Sequence, residues 1–408
     1  MKSSLHVVRL FSILLIAGLL VQGCGGAAPQ PVAPTAAPAA ATIAPAAAAP
    51  TAAPAAAATK APAAQPAAPA AGPILKDKPA DAGERPVQLA VSSGGVAEYH
   101  EAPELAELVK QGKLPPVKDR LPVNPIVIKP EEAIGKYGGA LRMSVTGQNT
   151  LGNEVNTWWL TESLTNPDPK DATKFIPNVA EAWDWSSDYK VLTMKLRKGI
   201  KWSDGQPFTA ADVNFWWQDV ILNKDLTPSP SSLLVRGGKL AEFKQIDDFT
   251  IQFSFAEPYS LFTTYLGSWG FDRGAPTRYP KHYLSQFHPN YADKANIEAA
   301  MQKGGFKTWT DLFGQMASNN NPERPTIGAW IPTAFPPNPV EVHVRNPYYW
   351  KVDTAGNQLP YIGEIRSTRT ADINATLLKT IAGELDFVRG LATANLPVLS
   401  DNKAKGNY

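Results

Sequence analysis

The side chains able to do chemistry are few, and their spacing does not group them for it. The five histidines are His6, His100, His282, His288 and His343. None falls at the spacing of a metalloprotease helix or a zinc finger. His282 and His288 sit in a Tyr- and Pro-rich stretch that reads as a surface loop rather than a metal site. Asp184, Asp188, Asp204 and Asp212 lie close in sequence, but turns and helix caps account for them. A glycosidase needs two carboxylates facing each other across a cleft, and the sequence names no such pair. There is no Gly-x-Ser-x-Gly elbow and no phosphate-cradling glycine loop, so neither an enzyme class nor a cofactor is indicated. A single cysteine, Cys24, rules out an intrachain disulfide and a cysteine-ligated zinc. The more suggestive residues are eleven tryptophans, clustered as Trp158 with Trp159, Trp183 with Trp185, and Trp216 with Trp217. Aromatic walls suit ligands held by shape and stacking. Trp216 and Trp217 have the spacing of a helix core, and Trp183 precedes an expected strand. Trp158 and Trp159 are open to either reading.

The elements that must position these residues alternate between two periods. Leu141, Met143 and Val145 point one way, as do Leu192, Met194 and Leu196. Phe249 to Phe255 and Val340, Val342 and Val344 repeat the pattern, each a half-buried strand by its period of two. Between them lies a helix from Ala210 to about Leu222, with Val213, Trp216, Trp217, Val220 and Ile221 on one face. Thr209 and Asp212 form its capping box. A second helix spans Asp372 to Ile381 and stops at Gly383, with a strand Leu385 to Arg389 after it. A short helix is expected over Ala102 to Gln111, with Leu105 and Leu108 as its apolar edge and Gly112 as its stop. The proline-rich stretch from Leu114 to Pro130 is expected to lie extended over the surface. Strands mixed with helices at this spacing indicate an α/β or α+β domain.

The first eighty or so residues do not read as folded. Lys2 and Arg9 precede an apolar run, Leu10 to Val21, too short to span a bilayer comfortably. Val21-Gln22-Gly23-Cys24 resembles the lipobox of bacterial lipoproteins, which implies cleavage before Cys24 and lipidation of its thiol. From Gly25 to about Lys76 the chain is almost wholly Ala, Pro, Thr and Gly. Frequent prolines stop any helix and nothing large and apolar repays ordering, so the segment reads as an extended tether. The expected organisation is a signal peptide (1–23), a tether (24–80), an extended segment with a short helix (81–136) and a folded domain (137–408). The formal net charge of +2 gives no electrostatic footprint for nucleic acid.

Two blocks within the domain carry a resemblance. The first runs from Asn178 to Trp183, through Leu192 to Leu196, then Arg197-Lys198-Gly199-Ile200-Lys201-Trp202-Ser203-Asp204-Gly205 and on to Val213. The second is Arg345-Asn346-Pro347-Tyr348-Tyr349-Trp350, then Leu359-Pro360-Tyr361, then Ala382-Gly383-Glu384-Leu385-Asp386. Together they resemble the family 5 extracellular solute-binding proteins, the oligopeptide- and dipeptide-binding proteins of ABC importers. The resemblance implies a type II periplasmic-binding-protein-like α/β fold, a two-lobed clamp that closes on its ligand. Members of that family continue well beyond the Gly-Glu-x-Asp block, so the second lobe is expected to be missing from this chain, as in a fragment, a split gene or, least expected, a natural half-protein.

The resemblance further implies a monomer that captures peptides, or oligosaccharides in some relatives, outside the cell and delivers them to a permease. The other readings are an anchored extracellular hydrolase and a sensory or structural lipoprotein. Carried onto this sequence, the ligand-contacting loops fall on Asn153, Glu154 and Asn156, with Trp158 and Trp159 beside them, and on Arg389 and Gly390. Arg389 would suit a ligand carboxylate.

Overall fold

A computed structural model describes residues 96–146, 161–267, 275–334 and 338–407, all within one compact unit, Leu75–Tyr408. In chain order the described elements begin with α1 (Pro103–Lys110), α2 (Val117–Arg120), β1 (Ile126–Ile128) and β2 (Ala140–Thr146). The hairpin β3 (Thr165–Asp168) and β4 (Asp171–Pro177) leads to β5 (Ala180–Trp185), β6 (Val191–Leu196) and α3 (Ala210–Phe215). A small hairpin, β7 (Val235–Arg236) and β8 (Lys239–Leu240), precedes β9 (Glu242–Asp247) and β10 (Thr250–Ser254). Four helices follow: α4 (Phe262–Gly267), α5 (Lys281–Leu284), α6 (Lys294–Gly304) and α7 (Trp309–Met316). The chain then forms β11 (Trp330–Ala334), β12 (Val340–Arg345), β13 (Lys351–Asp353) and β14 (Glu364–Thr370), and closes with α8 (Ile373–Ile381) and α9 (Leu396–Gly406).

Two four-stranded sheets organise these elements. The first, in the order β5-β6-β10-β9, is antiparallel throughout. Its register sets Ile251 opposite Met194 and Phe253 opposite Leu192, so all four point to one side and are fully buried. Helix α3 and the turn that continues it cover them with Val213, Trp216 and Trp217; Trp217 stacks on Phe243 at 5.7 Å and meets Phe253 edge-on at 5.9 Å. Each buried aromatic contributes roughly 2–3 kcal/mol of transfer free energy. The expected capping box is present: Thr209 Oγ1 accepts from Ala211 N, and Asp212 accepts from Thr209 N at 2.9 Å. The second half of the expected helix differs, since Trp216–Ile221 winds as a π-helix, with Leu222 N donating to Trp217 O. The wider turn puts Trp216, Trp217, Val220 and Ile221 all inside.

The second sheet has the order β11-β12-β14-β2, with β14 and β2 parallel and the other pairs antiparallel. Leu141, Met143 and Val145 point to one face, as expected. Strand β12 reverses the expectation. Its valines are only half-buried, whereas Glu341, His343 and Arg345 are the buried set. The register explains it: His343 lies opposite Ile365, which lies opposite Leu141, so the polar residues of β12 share the face of the apolar residues of β2. Burial pushes the His343 imidazole down to about 4.

Five other expectations are corrected. The segment Leu114 to Pro130 does not drape over the surface. It forms α2 and β1, buries Leu114, Val117, Leu121 and Ile126, and pairs β1 with β13 in parallel. Its Arg120 is fully buried and donates to Pro115 O at 3.0 Å, Gln358 Oε1 at 2.9 Å, Pro347 O and Glu101. Leu385 to Arg389 is not a strand; Asp386 N and Phe387 N both reach Arg142 O, which ties the segment to β2 without building a ladder. His288 is buried rather than on a surface loop, accepting from Asn290 N on Nδ1 at 3.2 Å and lying 3.1 Å from Asp219 O on Nε2. Trp183 lies within β5, half-buried against the core, rather than before a strand. In α1, Leu105 is buried but Leu108 is exposed.

Candidate functional site

Both motif blocks turn out to be scaffold, and they meet on one carboxylate. Glu162 is buried just before β3. Its Oε1 accepts from the Tyr349 hydroxyl at 2.7 Å, and its Oε2 accepts from Lys351 Nζ at 2.8 Å and Asn178 Nδ2 at 2.9 Å. Asn178 opens the first block and Tyr349 belongs to the second. Burial first, then the neighbouring Glu162 carboxylate, holds the Tyr349 phenol well above its ordinary range, so it stays a donor. Other motif residues have similar duties. Asn346 Nδ2 donates to Gly328 O at 2.8 Å, Trp350 Nε1 donates to Ile327 O at 3.1 Å, and Arg345 Nε donates to Pro360 O at 2.8 Å. Gly205 has φ +87, and a Cβ there would sit 2.9 Å from the Tyr348 hydroxyl, so the first block's turn needs glycine because the second block lies against it.

At the far end of the second sheet from this network lies its carboxyl edge. Parallel strands β2 and β14 end level, Thr146 opposite Thr370. Ligands of open α/β sheets bind outside the carboxyl ends of such strands. At this edge Arg369 Nη2 donates to Glu341 Oε1 at 2.9 Å, and Glu341 is only 1% exposed. The Thr370 hydroxyl lies 2.9 Å from Thr376 Oγ1 and donates to Val145 O at 3.2 Å, which locks α8 onto both strands. Asp372 caps α8 through Ala375 N at 2.9 Å. The edge is thus polar and built from β2, β12, β14 and α8. Among the described residues, no cluster of histidines, cysteines and carboxylates is placed to hold a metal ion. No described helix is long and apolar enough to cross a membrane.

The family model of the bacterial extracellular solute-binding proteins, family 5 middle region, matches residues 174–408. The chain belongs to that family. A periplasmic alpha-galactoside-binding protein of Rhizobium meliloti is 36% identical over 288 residues, covering 66% of this chain and 39% of that protein. The periplasmic oligopeptide-binding protein OppA of Salmonella typhimurium is 27% identical over 243 residues, 56% of this chain and 37% of its own length. Among solved structures, an oligopeptide-binding protein OppA superposes with a TM-score of 0.71 at 37% identity, covering 78% of this chain and 49% of that one. The binding protein MelB of Agrobacterium fabrum C58, in complex with stachyose, gives 0.63 at 29% identity over 78% and 48%. The fold of this family 5 chain is the mixed α/β fold of the type II periplasmic binding proteins. The chain spans about two-fifths of the length of these curated relatives and about half that of the solved structures.

Of the positions anticipated for ligand contact, Asn153, Glu154, Asn156, Trp158 and Trp159 lie outside the described residues, as does Cys24. The first five fall between β2 and β3 in the sequence. Arg389 and Gly390 are exposed on the segment after α8, Gly390 at φ +80. That segment is fixed by Asp386, whose carboxylate takes Arg142 Nη2 at 2.6 Å and Arg142 N at 2.7 Å. Sequence reasoning missed Glu162, Lys351, Glu341 and Arg369. Glu162 and Lys351 are 189 positions apart, and no local pattern joins them. Glu341 sits in an alternating valine run that read as core, which hid the polar face behind it.

Proposed function

We propose that this chain is the solute-capturing part of an ABC importer, binding an oligosaccharide outside the cell for delivery to a permease. The observation that carries the reading is the level, polar carboxyl edge of β2 and β14, in a family whose named relatives are binding proteins. The saccharide is favoured over other solutes by the 36% identity shared with the alpha-galactoside-binding relative over 288 residues. The second reading, a peptide, draws on the OppA relatives, one of them the structure at 37% identity. In this proposal Arg369, oriented by Glu341, offers the ligand a cationic donor, and the stretch containing Asn153, Glu154, Asn156, Trp158 and Trp159 adds further contacts. Arg389 and Gly390 flank the same lobe. A two-lobed clamp would bury the solute by hinge closure, as binding proteins of this kind do.

The first test is titration of the purified chain with stachyose and with a mixed tetrapeptide pool, read by calorimetry, with chromatography of the recovered solute. Saturable uptake of stachyose, recovered intact, is expected. Peptide uptake alone moves the ligand to the second reading, and cleaved sugar would replace binding by hydrolysis. We also place the protein on the membrane surface as a monomer, tethered through Cys24 and the Ala/Pro-rich segment. Metabolic labelling with an alkynyl fatty acid should mark the wild-type protein, and Cys24→Ala should abolish the label. Labelling that survives the substitution would refute the anchor.

A further inference from the structure

At the opposite end of the second sheet from the proposed capture edge, a cleft of about 810 Å³ opens at the start of β2 and the approach to β14. Seven residues of strand separate the two ends, roughly 20 Å at the rise of a β-strand. The volume falls in the range of roughly 300–1,000 Å³ used by small-molecule sites. Its walls combine two kinds of group. Trp330 and Tyr361 are half-buried rings whose polar ends are already pinned, Trp330 Nε1 donating to Ile362 O at 3.2 Å and the Tyr361 hydroxyl to Asp353. Their remaining ring surface is apolar. Facing them, the β3–β4 hairpin contributes Asn166 and Asp168. Asn166 Oδ1 accepts from Ser163 Oγ at 2.8 Å and Asp168 Oδ1 accepts from Lys170 N at 2.8 Å; among the described residues Asn166 Nδ2 and Asp168 Oδ2 have no partner. At the floor, Glu162 and Lys351 neutralise each other.

We infer that this cleft is a second solute pocket, separate from the capture edge, and that it takes a single neutral saccharide ring. A pyranose carries a face of C–H groups that rests on aromatic surface and a rim of hydroxyls that both donate and accept. The pinned rings of Trp330 and Tyr361 match the face, and the open donor of Asn166 and open acceptor of Asp168 match the rim. With Lys351 already paired to Glu162 and the Asp168 carboxylate at the rim, an anionic ligand finds no counter-ion, which excludes a phosphate sugar as the preferred occupant. The inference uses the lining chemistry alone and stands apart from the importer reading.

Hydrogen–deuterium exchange on the full chain tests it, with methyl α-D-galactopyranoside and stachyose as probes. The single-ring sugar should slow exchange in 165–177 and 359–362, and stachyose should in addition slow exchange around 340–346 and 368–376. Ile128 is 42% exposed and lines the cleft, so Ile128→Arg closes it without emptying the core. That variant, and Trp330→Leu, should weaken protection of 165–177 at least tenfold in sugar concentration while leaving the 368–376 response unchanged. Protection at the capture edge alone overturns the second pocket and leaves the importer reading standing. Protection at the hairpin alone supports the pocket and counts against the edge. Protection of the hairpin that survives both variants, or protection nowhere, overturns the inference.

Discussion

Lys351→Met should destabilise the fold by about 3–5 kcal/mol, because it strands a buried carboxylate. The Lys351 and Glu162 side chains are only 11% and 9% exposed, and their charged atoms are 2.8 Å apart. Methionine keeps the length and apolar stem of lysine, so the packing against the Trp350 ring, over which Nζ lies at 4.9 Å, is largely conserved. What is lost is the cation. Glu162 keeps its bonds from Tyr349 and Asn178, but two neutral donors do not replace a desolvated charge partner. For roughly 300 folded residues, the unfolding entropy near the midpoint is about 0.6 kcal/mol per kelvin, so the expected drop in Tm is about 5–8 °C. Calorimetric melting of the wild type, Lys351→Met, Glu162→Gln and the double variant completes a cycle. The double variant should recover at least half of the loss, since a neutral glutamine needs no cation. A single variant within 1 °C of the wild type, or a double variant as unstable as the single, would refute the argument that this pair is desolvated.

Three further outcomes follow from the same structure. His343 is held neutral by burial, its pKa lowered from 6.5 to about 4, so between these values the unfolded chain binds more protons than the folded one. Stability should therefore fall as pH drops through that window, by about 3 kcal/mol in all; His343→Gln should flatten the slope of the urea midpoint between pH 7 and 4, and an unchanged slope would count against it. Thr209→Ala removes the cap of α3 and should cost about 1 kcal/mol by urea unfolding, while Thr209→Ser should cost almost nothing. Arg120→Met leaves Pro115 O and Gln358 Oε1 without their donor and the Glu101 carboxylate without its cation, Pro347 O keeping only Gln358 Nε2; about 3 kcal/mol or more should be lost, and a variant melting with the wild type would show that the segment before β1 is not part of the cooperative unit.

Local signals in the sequence reach as far as local physics does. The capping box at Thr209 and Asp212, the helix from Ala210, and the strands at Leu141, Leu192 and Phe249 were legible because each is set by neighbours within a few positions. So was the family, since the turn at Ser203-Asp204-Gly205 and the Arg345 to Trp350 block are contiguous runs that can be read without the fold. Why those types are required was not legible. Gly205 answers to Tyr348, and Asn178 and Tyr349 answer to Glu162, contacts that exist only after folding.

The valines of β12 show the limit most clearly. Alternation in the sequence told that β12 has two faces but not which one is inside. Pairing with β14, and through it with β2, turned Glu341, His343 and Arg345 inward and left the valines half-buried. Likewise the prolines between Leu114 and Pro130 spoke for an extended surface segment, and only the parallel pairing of β1 with β13 drew it inside. Sequence by itself determined the local elements and the family. Tertiary structure decided which polar groups are buried, the meeting of Glu162 with Lys351, and the cleft that opens beside them at the start of β2. The reason is that burial and ion pairing depend on residues far apart in the chain, which no local period records.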